Sequence, residues 1–527
     1  MKKRGYLMDM FIKLSMLFVF FAVMVGVGLY CRKHATDVNG FVLGGRSVGP
    51  WLTAFAYGTS YFSAVVFVGY AGQFGWKYGI AATWAGIGNA LLGSLLAWAV
   101  LGRRTRVMTQ HLDSATMPQF FEQRFQSKPL KLAASAVIFI FLIPYTASLY
   151  NGLSRLFAMA FDIDYSVCVI VMAVLTGVYV IAGGYMATAI NDFIQGIVMI
   201  VGIAAVIGAV LSSQGGFLEA LNKLGQVSDP LVSDTPGVFT SFFGPDPLNL
   251  LGVVLLTSLG TWGLPQMVQK FYAIKSEQAI NKGMIISTVF ALIVAGGCYF
   301  LGGFGRLFTS RMEIGPNGVP VGGYDAVIPS MLSGLSTFLI AIVVILVLSA
   351  SMSTLSSLVL ASSSTLTLDF IKGGIVKDMD EKKQVKCMKA LIVVFIAISV
   401  VMAILQYKSN VTFIAQLMGV SWGALAGAFL APFLYGLYWK KATSAGCWAS
   451  FIFSTVVMLA NVVVKPMFPA ILQSPINAGA FCMVAGLIIV PVVSAFTKKP
   501  EDAHIRQVFS CYDEPVTVKA KHSLGHH

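Results

Sequence analysis

Charge is scarce in this chain. Of its 527 residues only 11% are Asp, Glu, Lys or Arg, while 57% are hydrophobic. Mean hydropathy is +0.79. A soluble domain carries roughly 25% charged residues, so a water-soluble globule is excluded and a polytopic membrane protein is expected. The acidic residues are scarcest: 22 Asp and Glu face 36 Lys and Arg, a formal net charge of +14. That excess does not signal nucleic acid, because the basic residues sit in short loops between apolar runs, where they act as topology signals. Cysteine is limited to seven residues with no CxxC pair, mostly in or beside apolar runs. This excludes a disulfide framework and a zinc site. Histidine is missing from the apolar runs, and four of the six lie beyond Val493. Nucleotide-binding and metalloprotease motifs are missing too, so a membrane enzyme has no visible catalytic side chains. A sensor would need an appended signalling domain, and no length remains for one.

What the chain does have is apolar runs. A membrane helix needs about 20 apolar residues, and about thirteen runs qualify. Their expected limits are 8–30, 51–75, 81–101, 129–160, 165–183, 189–212, 248–270, 283–306, 336–368, 388–406, 411–438, 443–464 and 474–496. The first run follows Lys2-Lys3-Arg4 but has no small-residue cleavage pattern, so it reads as a retained helix. If the loop from Cys31 to Gly49 is cytoplasmic, about 25 of the 36 basic residues fall on that side. That set includes Arg103, Arg104, Arg106, Arg124 and Lys131, then Lys270, Lys275 and Lys282, then Lys372 to Lys389. The stretch from Ser212 to Leu248 has one Lys against four acidic residues and reads as external. The expected orientation is N-terminus outside, C-terminus inside, in a cell membrane. The tail after Val493 reads as a solvated end.

Hydroxyls crowd one of these runs. Leu348 to Thr367 reads LSASMSTLSSLVLASSSTLT. Lipid offers hydroxyls no partner, so they should face protein, solvent or an ion. The adjacent pair Ser353 and Thr354, with carbonyls freed from another helix, would make a small hard-oxygen cage of the kind Na⁺ prefers. The bland alternative is helix contact or back-bonding to the preceding turn. Two other runs look broken. The second carries Ala56-Tyr57-Gly58-Thr59-Ser60-Tyr61-Phe62-Ser63-Ala64 mid-span. The seventh carries Gly260-Thr261-Trp262-Gly263-Leu264-Pro265-Gln266, where two Gly and a Pro weaken the helix. Broken helices at matching places in two halves point to a substrate site at an inverted-repeat interface.

These segments resemble the sodium:solute symporter family. Phe41-Val42-Leu43-Gly44-Gly45-Arg46-Ser47-Val48-Gly49 is similar to its loop before the second helix. Ile181 to Ala187 and Asn191 to Gly196 resemble its fifth-to-sixth-helix signature, and Ser351 to Ser357 its sodium-site helix. The resemblance covers nearly the whole chain. It implies an all-α, LeuT-type fold: two inverted five-helix repeats plus flanking helices. The corresponding division is 1–50 for the first helix and its loop, 51–212 for repeat one, 213–247 for an external loop, 248–438 for repeat two, 439–496 for the last two helices and 497–527 for the tail. The resemblance also implies Na⁺ as coupling ion, with carbonyls from Thr59, Phe62 and Ala350 and side-chain oxygens from Ser353 and Thr354. Asp192 resembles an aspartate on the intracellular sodium path; its bland role is capping a helix.

The substrate site should adjoin the ion. Candidates are Tyr61, Ala64 and Val65 on the second span, Tyr145 on the fourth, and Thr257, Thr261, Trp262 and Gln266 on the seventh. The family's proline branch typically has an acidic residue at the place of Tyr61 and Trp at that of Val65, although Tyr145 matches it. Thr59 to Ala64, Gly263-Leu264-Pro265 and Gly436-Leu437-Tyr438-Trp439 resemble the pantothenate branch more closely. The expected activity is Na⁺-coupled import of a small carboxylate-bearing solute, pantothenate-, amino-acid- or monocarboxylate-like. Proline symport, H⁺ coupling through Asp192, and a passive channel are the rivals. The expected partners are that solute and the lipid bilayer, with no nucleic acid.

Overall fold

The computed structural model describes residues 2–161, 164–233, 235–376, 378–409 and 414–513. Among these the regular structure is helical, with only three isolated bridges outside the helices. Helices suit the bilayer because they satisfy every backbone group internally. Among the described residues ten helices are long and apolar enough to cross a membrane, or eleven if the bent pair Pro247–Gly263 and Pro265–Ala273 is one span. Two of the eleven, Val65–His111 and Tyr165–Ser212, hold 47 and 48 residues. At 1.5 Å per residue each would extend about 70 Å, against a hydrocarbon core of about 30 Å. Tyr165–Ser212 is two spans, and Val65–His111 joins the second half of one span to the whole of the next, which brings the eleven to the thirteen expected.

Glycine makes both reversals. Gly79 has φ 60° and ψ −140°, and Gly184 has φ 55° and ψ −144°. Side-chain-bearing residues avoid that region. The second span is Pro50–Tyr61 followed by Val65–Tyr70 and Ala71–Tyr78, and the third begins at Thr83. The fourth is Lys128–Phe161 and the eighth runs from Glu277 to Gly302. The ninth is Thr337–Thr365, continuing in π-helical turns over Leu366–Ile375. Glu381–Ser409, Ile414–Tyr438, Ser444–Val463 and Pro475–Phe496 complete the set.

Burial sorts these helices. The ninth and eleventh are enclosed by protein, while the first exposes Phe11, Phe18 and Val19. Without a hydrophobic drive between helices in lipid, close backbone approach supplies the packing, and small residues permit it. Gly423 and Gly479 meet in this way between the eleventh and thirteenth spans.

Several charges expected in loops are structural instead. Arg106, Arg124, Lys131 and Lys270 are all buried. Arg124 donates to the carbonyls of Gly436 (2.9 Å) and Trp439 (3.0 Å), which fixes Met117–Phe125 to the end of the eleventh span. Burial lowers the Arg124 pKa to about 10. The tail is not simply solvated: Asp502–Phe509 is a helix whose Ile505, Val508 and Phe509 are buried. Its apolar stripe faces the basic loops, and the Arg104 guanidinium lies between the Tyr438 and Tyr512 rings at 4.2 and 4.4 Å.

Candidate functional site

The helix Pro50–Tyr61 stops because Phe62 adopts extended backbone, φ −84° and ψ 119°. The last carbonyls of a helix have no intrahelical N–H to accept from. The chain restarts only at Ser63, whose carbonyl accepts from the N–H groups of Val66 and Phe67, each at 3.0 Å. Thr59 and Phe62 therefore present carbonyl oxygens inside the protein. They meet the ninth span. Ser353 Oγ lies 3.2 Å from Thr59 O and 3.1 Å from Ala350 O. Thr354 Oγ1 lies 3.1 Å from each of Thr59 O, Phe62 O and Ala350 O.

All five residues expected to hold the ion thus converge, and all are buried. Two hydroxyl protons face three carbonyls, so these oxygens outnumber their donors. Such an excess of oxygen dipoles in a low-dielectric interior suits a small hard cation. Among the described residues no group of three His, Cys, Asp or Glu could hold a transition metal.

One helical turn along, a charged pair is buried that sequence reasoning missed in part. Lys270 Nζ stands 3.9 Å from Asp192 Oδ2. The two are 1% and 0% exposed. Lys270 also donates to Ser357 Oγ at 3.0 Å, and Ser357 Oγ is 2.9 Å from Ser60 Oγ. A continuous polar row therefore joins Asp192 to the broken second span. Asp192 does not cap a helix end, because it lies inside the sixth span. Lys270 follows the Pro265 break in an apolar run, and that intramembrane position was the available signal.

The eight candidate solute residues separate into two groups. Thr257 Oγ1 back-bonds to Val253 O at 2.9 Å. Thr261 Oγ1 donates to Gly93 O and Trp262 Nε1 to Leu92 O, both at 2.9 Å. Those carbonyls belong to a π-helical stretch, Leu91–Leu96, where the ladder loosens and carbonyls reach outward. Thr261 and Trp262 thus fasten the seventh span to the third, while Thr257 bonds only within its own helix. Ala64 packs against Gly152 of the fourth span. Val65 opens the restart of the second span and is buried.

The others keep free polar atoms in the interior. Tyr61 Oη and both amide atoms of Gln266 have no hydrogen-bond partner among the described residues. The Tyr145 ring stands edge-on to Trp422 at 5.9 Å. Tyr70, also with a free hydroxyl, and Tyr299 join this set, and neither was singled out from sequence. Arg155 lies 3.9 Å from Asp325 and donates to Gly322 O at 3.3 Å.

The two ends differ. A cavity of about 500 Å³ is lined by Gln73, Lys77, Asn249, Arg306 and Asn477. At the opposite end Arg46 donates to Ser114 O (2.6 Å) and Tyr272 O (3.3 Å). There the Val48 N–H also bonds Ala273 O at 3.2 Å, and the Lys275 N–H bonds Val48 O at 2.9 Å. That end is laced shut beneath the Lys270 row.

Comparison with known proteins accords with this geometry. A profile described as "Sodium:solute symporter family" matches residues 41–454. The sodium/proline symporters of Staphylococcus aureus strains JH9 and NCTC 8325 are each 30% identical over 503 residues, covering 92% of this chain and 93% of theirs. Among solved structures, the substrate-bound outward-open state of a Na⁺-coupled sialic acid symporter superposes with a TM-score of 0.71 at 16% identity, covering 93% of this chain and 99% of that one. The fold is the LeuT type. The chain is a multi-pass membrane transporter with Na⁺ as coupling ion, and it belongs to the sodium:solute symporter family.

Proposed function

We propose that this protein imports a small carboxylate-bearing organic solute across the cell membrane, with Na⁺ held by Thr59, Phe62, Ala350, Ser353 and Thr354. The observation that carries this reading is the meeting of two hydroxyls and three carbonyls from the second and ninth spans, each carbonyl within 3.2 Å of at least one of the two hydroxyls. Na⁺ binds first and ties the broken second span to the ninth. That ordering raises solute affinity, and the coupling is reciprocal. Tyr61, Tyr145 and Gln266 are the residues we assign to the solute; Ala64 and Val65 shape the wall beside them. Thr261 and Trp262 hold the seventh span in place behind it, and Thr257 is bonded within that span. Asp192, paired with Lys270, lies along the inner path of the ion. The basic loops face the cytoplasm, so the laced end is the inner gate and the 500 Å³ cavity is the outer vestibule.

The driving force suffices. One charge crossing about 100 mV yields about 2.3 kcal/mol. A tenfold Na⁺ gradient adds about 1.4 kcal/mol. One Na⁺ per neutral or zwitterionic solute then supports roughly 500-fold accumulation.

Proline is the second reading, favoured by the two staphylococcal relatives at 30% identity. Tyr61 and Val65 stand against it, and the pantothenate-like pattern around them favours a different carboxylate. Proteoliposomes settle the choice. Uptake of labelled proline, pantothenate and short monocarboxylates is followed under a Na⁺ gradient and, separately, under a pH gradient. One of these solutes should accumulate uphill only with Na⁺. Accumulation driven by pH alone, or none by any of the three classes, would overturn the proposal.

A further inference from the structure

Three guanidinium groups on the basic face, those of Arg46, Arg106 and Arg124, are buried without a carboxylate, and the first two stand close together. Arg106 is 0% exposed and Arg46 is 7% exposed. Neither lies within 4 Å of any Asp or Glu among the described residues. Arg46 is satisfied by neutral acceptors: the carbonyls of Tyr272, Thr109 and Ser114 and the Thr109 hydroxyl. Arg106 is only partly satisfied. Its Nε donates to Ile274 O at 2.5 Å, and its Nη1 donates to Gln110 Oε1. Its Nη2 is buried with no partner. An unpaired buried charge is costly, and such groups are normally paired or coordinated.

Arg46 and Arg106 are both among the residues around one cavity of about 540 Å³. Lys372 adds a third positive charge to its wall, while Asp113 and Glu381 supply two negative ones. The wall therefore carries one excess positive charge. A planar fork of N–H donors fits a carboxylate, and one negative charge balances the wall where a dianion would overshoot it.

We propose that this cavity is an anion site for a small monocarboxylate, anchored by Arg106 Nη2 and the Arg46 guanidinium. The site is separate from the five-oxygen cage and does not depend on the solute assignment. Its occupant would span the loop carrying Arg46 and the third-span helix carrying Arg106. Both already grip the Tyr272–Ile274 end of the seventh span. A bound carboxylate therefore braces the laced end, so carboxylate on that side slows its opening.

The test uses the purified full chain in detergent, in potassium salts without Na⁺. Potassium acetate replaces potassium chloride at constant ionic strength, and the thermal unfolding midpoint is followed. The expected result is a saturable rise with acetate. Arg106→Gln should raise the half-saturating acetate concentration tenfold or more, the scale of a lost charge-assisted hydrogen bond. The same variant should keep its stabilisation by added Na⁺, which shows that it folds. Asp113→Asn removes a negative wall charge and should lower the half-saturating concentration; this variant decides the matter if Arg106→Gln does not fold. Potassium phosphate is the comparison anion. No saturable acetate response, a response unchanged in Arg106→Gln, no tightening in Asp113→Asn, or phosphate saturating below acetate would each overturn the proposal.

Discussion

Removing one oxygen from the five-oxygen cage should weaken Na⁺ binding by a calculable amount. Thr354 is the sharpest target because its hydroxyl alone reaches three carbonyls at 3.1 Å. Interactions of a hydroxyl with a charged group contribute roughly 1.5–3 kcal/mol. Thr354→Ala should then raise the Na⁺ dissociation constant by about tenfold to a hundredfold. The readout need not involve a solute. Ligand binding to the folded state stabilises it by RT ln(1 + [L]/Kd). At Na⁺ equal to a hundred times the native Kd, the native chain gains about 2.7 kcal/mol. The variant at that concentration gains only about 1.4 kcal/mol for a tenfold weakening, or about 0.4 kcal/mol for a hundredfold one. Titrating NaCl against KCl while following thermal unfolding measures this difference. Thr354→Ser, which keeps the oxygen, should restore most of it. A purely structural hydroxyl predicts another pattern: the variant loses stability equally in Na⁺ and K⁺. Equal Na⁺ stabilisation in native, Thr354→Ala and Ser353→Ala chains would refute the cage.

Two further outcomes follow from buried charge. Lys270→Met leaves Asp192 uncompensated in the interior and should cost about 3–5 kcal/mol in unfolding free energy, whereas Lys270→Met combined with Asp192→Asn should recover most of it; additive losses in the double variant would contradict the pairing. Burial, opposed by Arg155 and the Ile414 N–H, holds the Asp325 carboxyl above its ordinary range. The folded state therefore binds that proton more tightly than the unfolded one. The penalty is absent below the unfolded value near 3.9 and grows as pH rises through the folded value. Unfolding midpoints between pH 4 and 7 should fall less steeply in Asp325→Asn; an unchanged slope would rule this out.

The convergence of Thr59, Phe62, Ala350, Ser353 and Thr354 was legible because its determinants are local. A glycine-bearing polar break and two adjacent hydroxyls are visible in ten residues each, and the family pattern joined them. The span count was legible for the same reason, since apolar length is a one-dimensional property. Lys270 was not. It is followed closely by Lys275 and Lys282, so counting basic residues placed it in a loop, although Pro265–Ala273 carries it into the interior. Arg106 and Lys131 misled in the same way. The roles of Thr261 and Trp262 depend on how the seventh span is rotated about its axis. That rotation is fixed by carbonyls that a π-helical stretch of the third span releases, and nothing in the composition of Leu91–Leu96 announces it. The tail helix was hidden because its apolar stripe is only a few residues long.

The extended link at Phe62 has a mechanical consequence. Because no ladder of backbone bonds crosses it, the two rods of the second span can swing about this joint without either one unwinding. Movement there meets little resistance from the main chain itself. What resists it is the splint formed by the ninth span, and a metal ion held as proposed above would tighten that splint on arriving and slacken it on leaving.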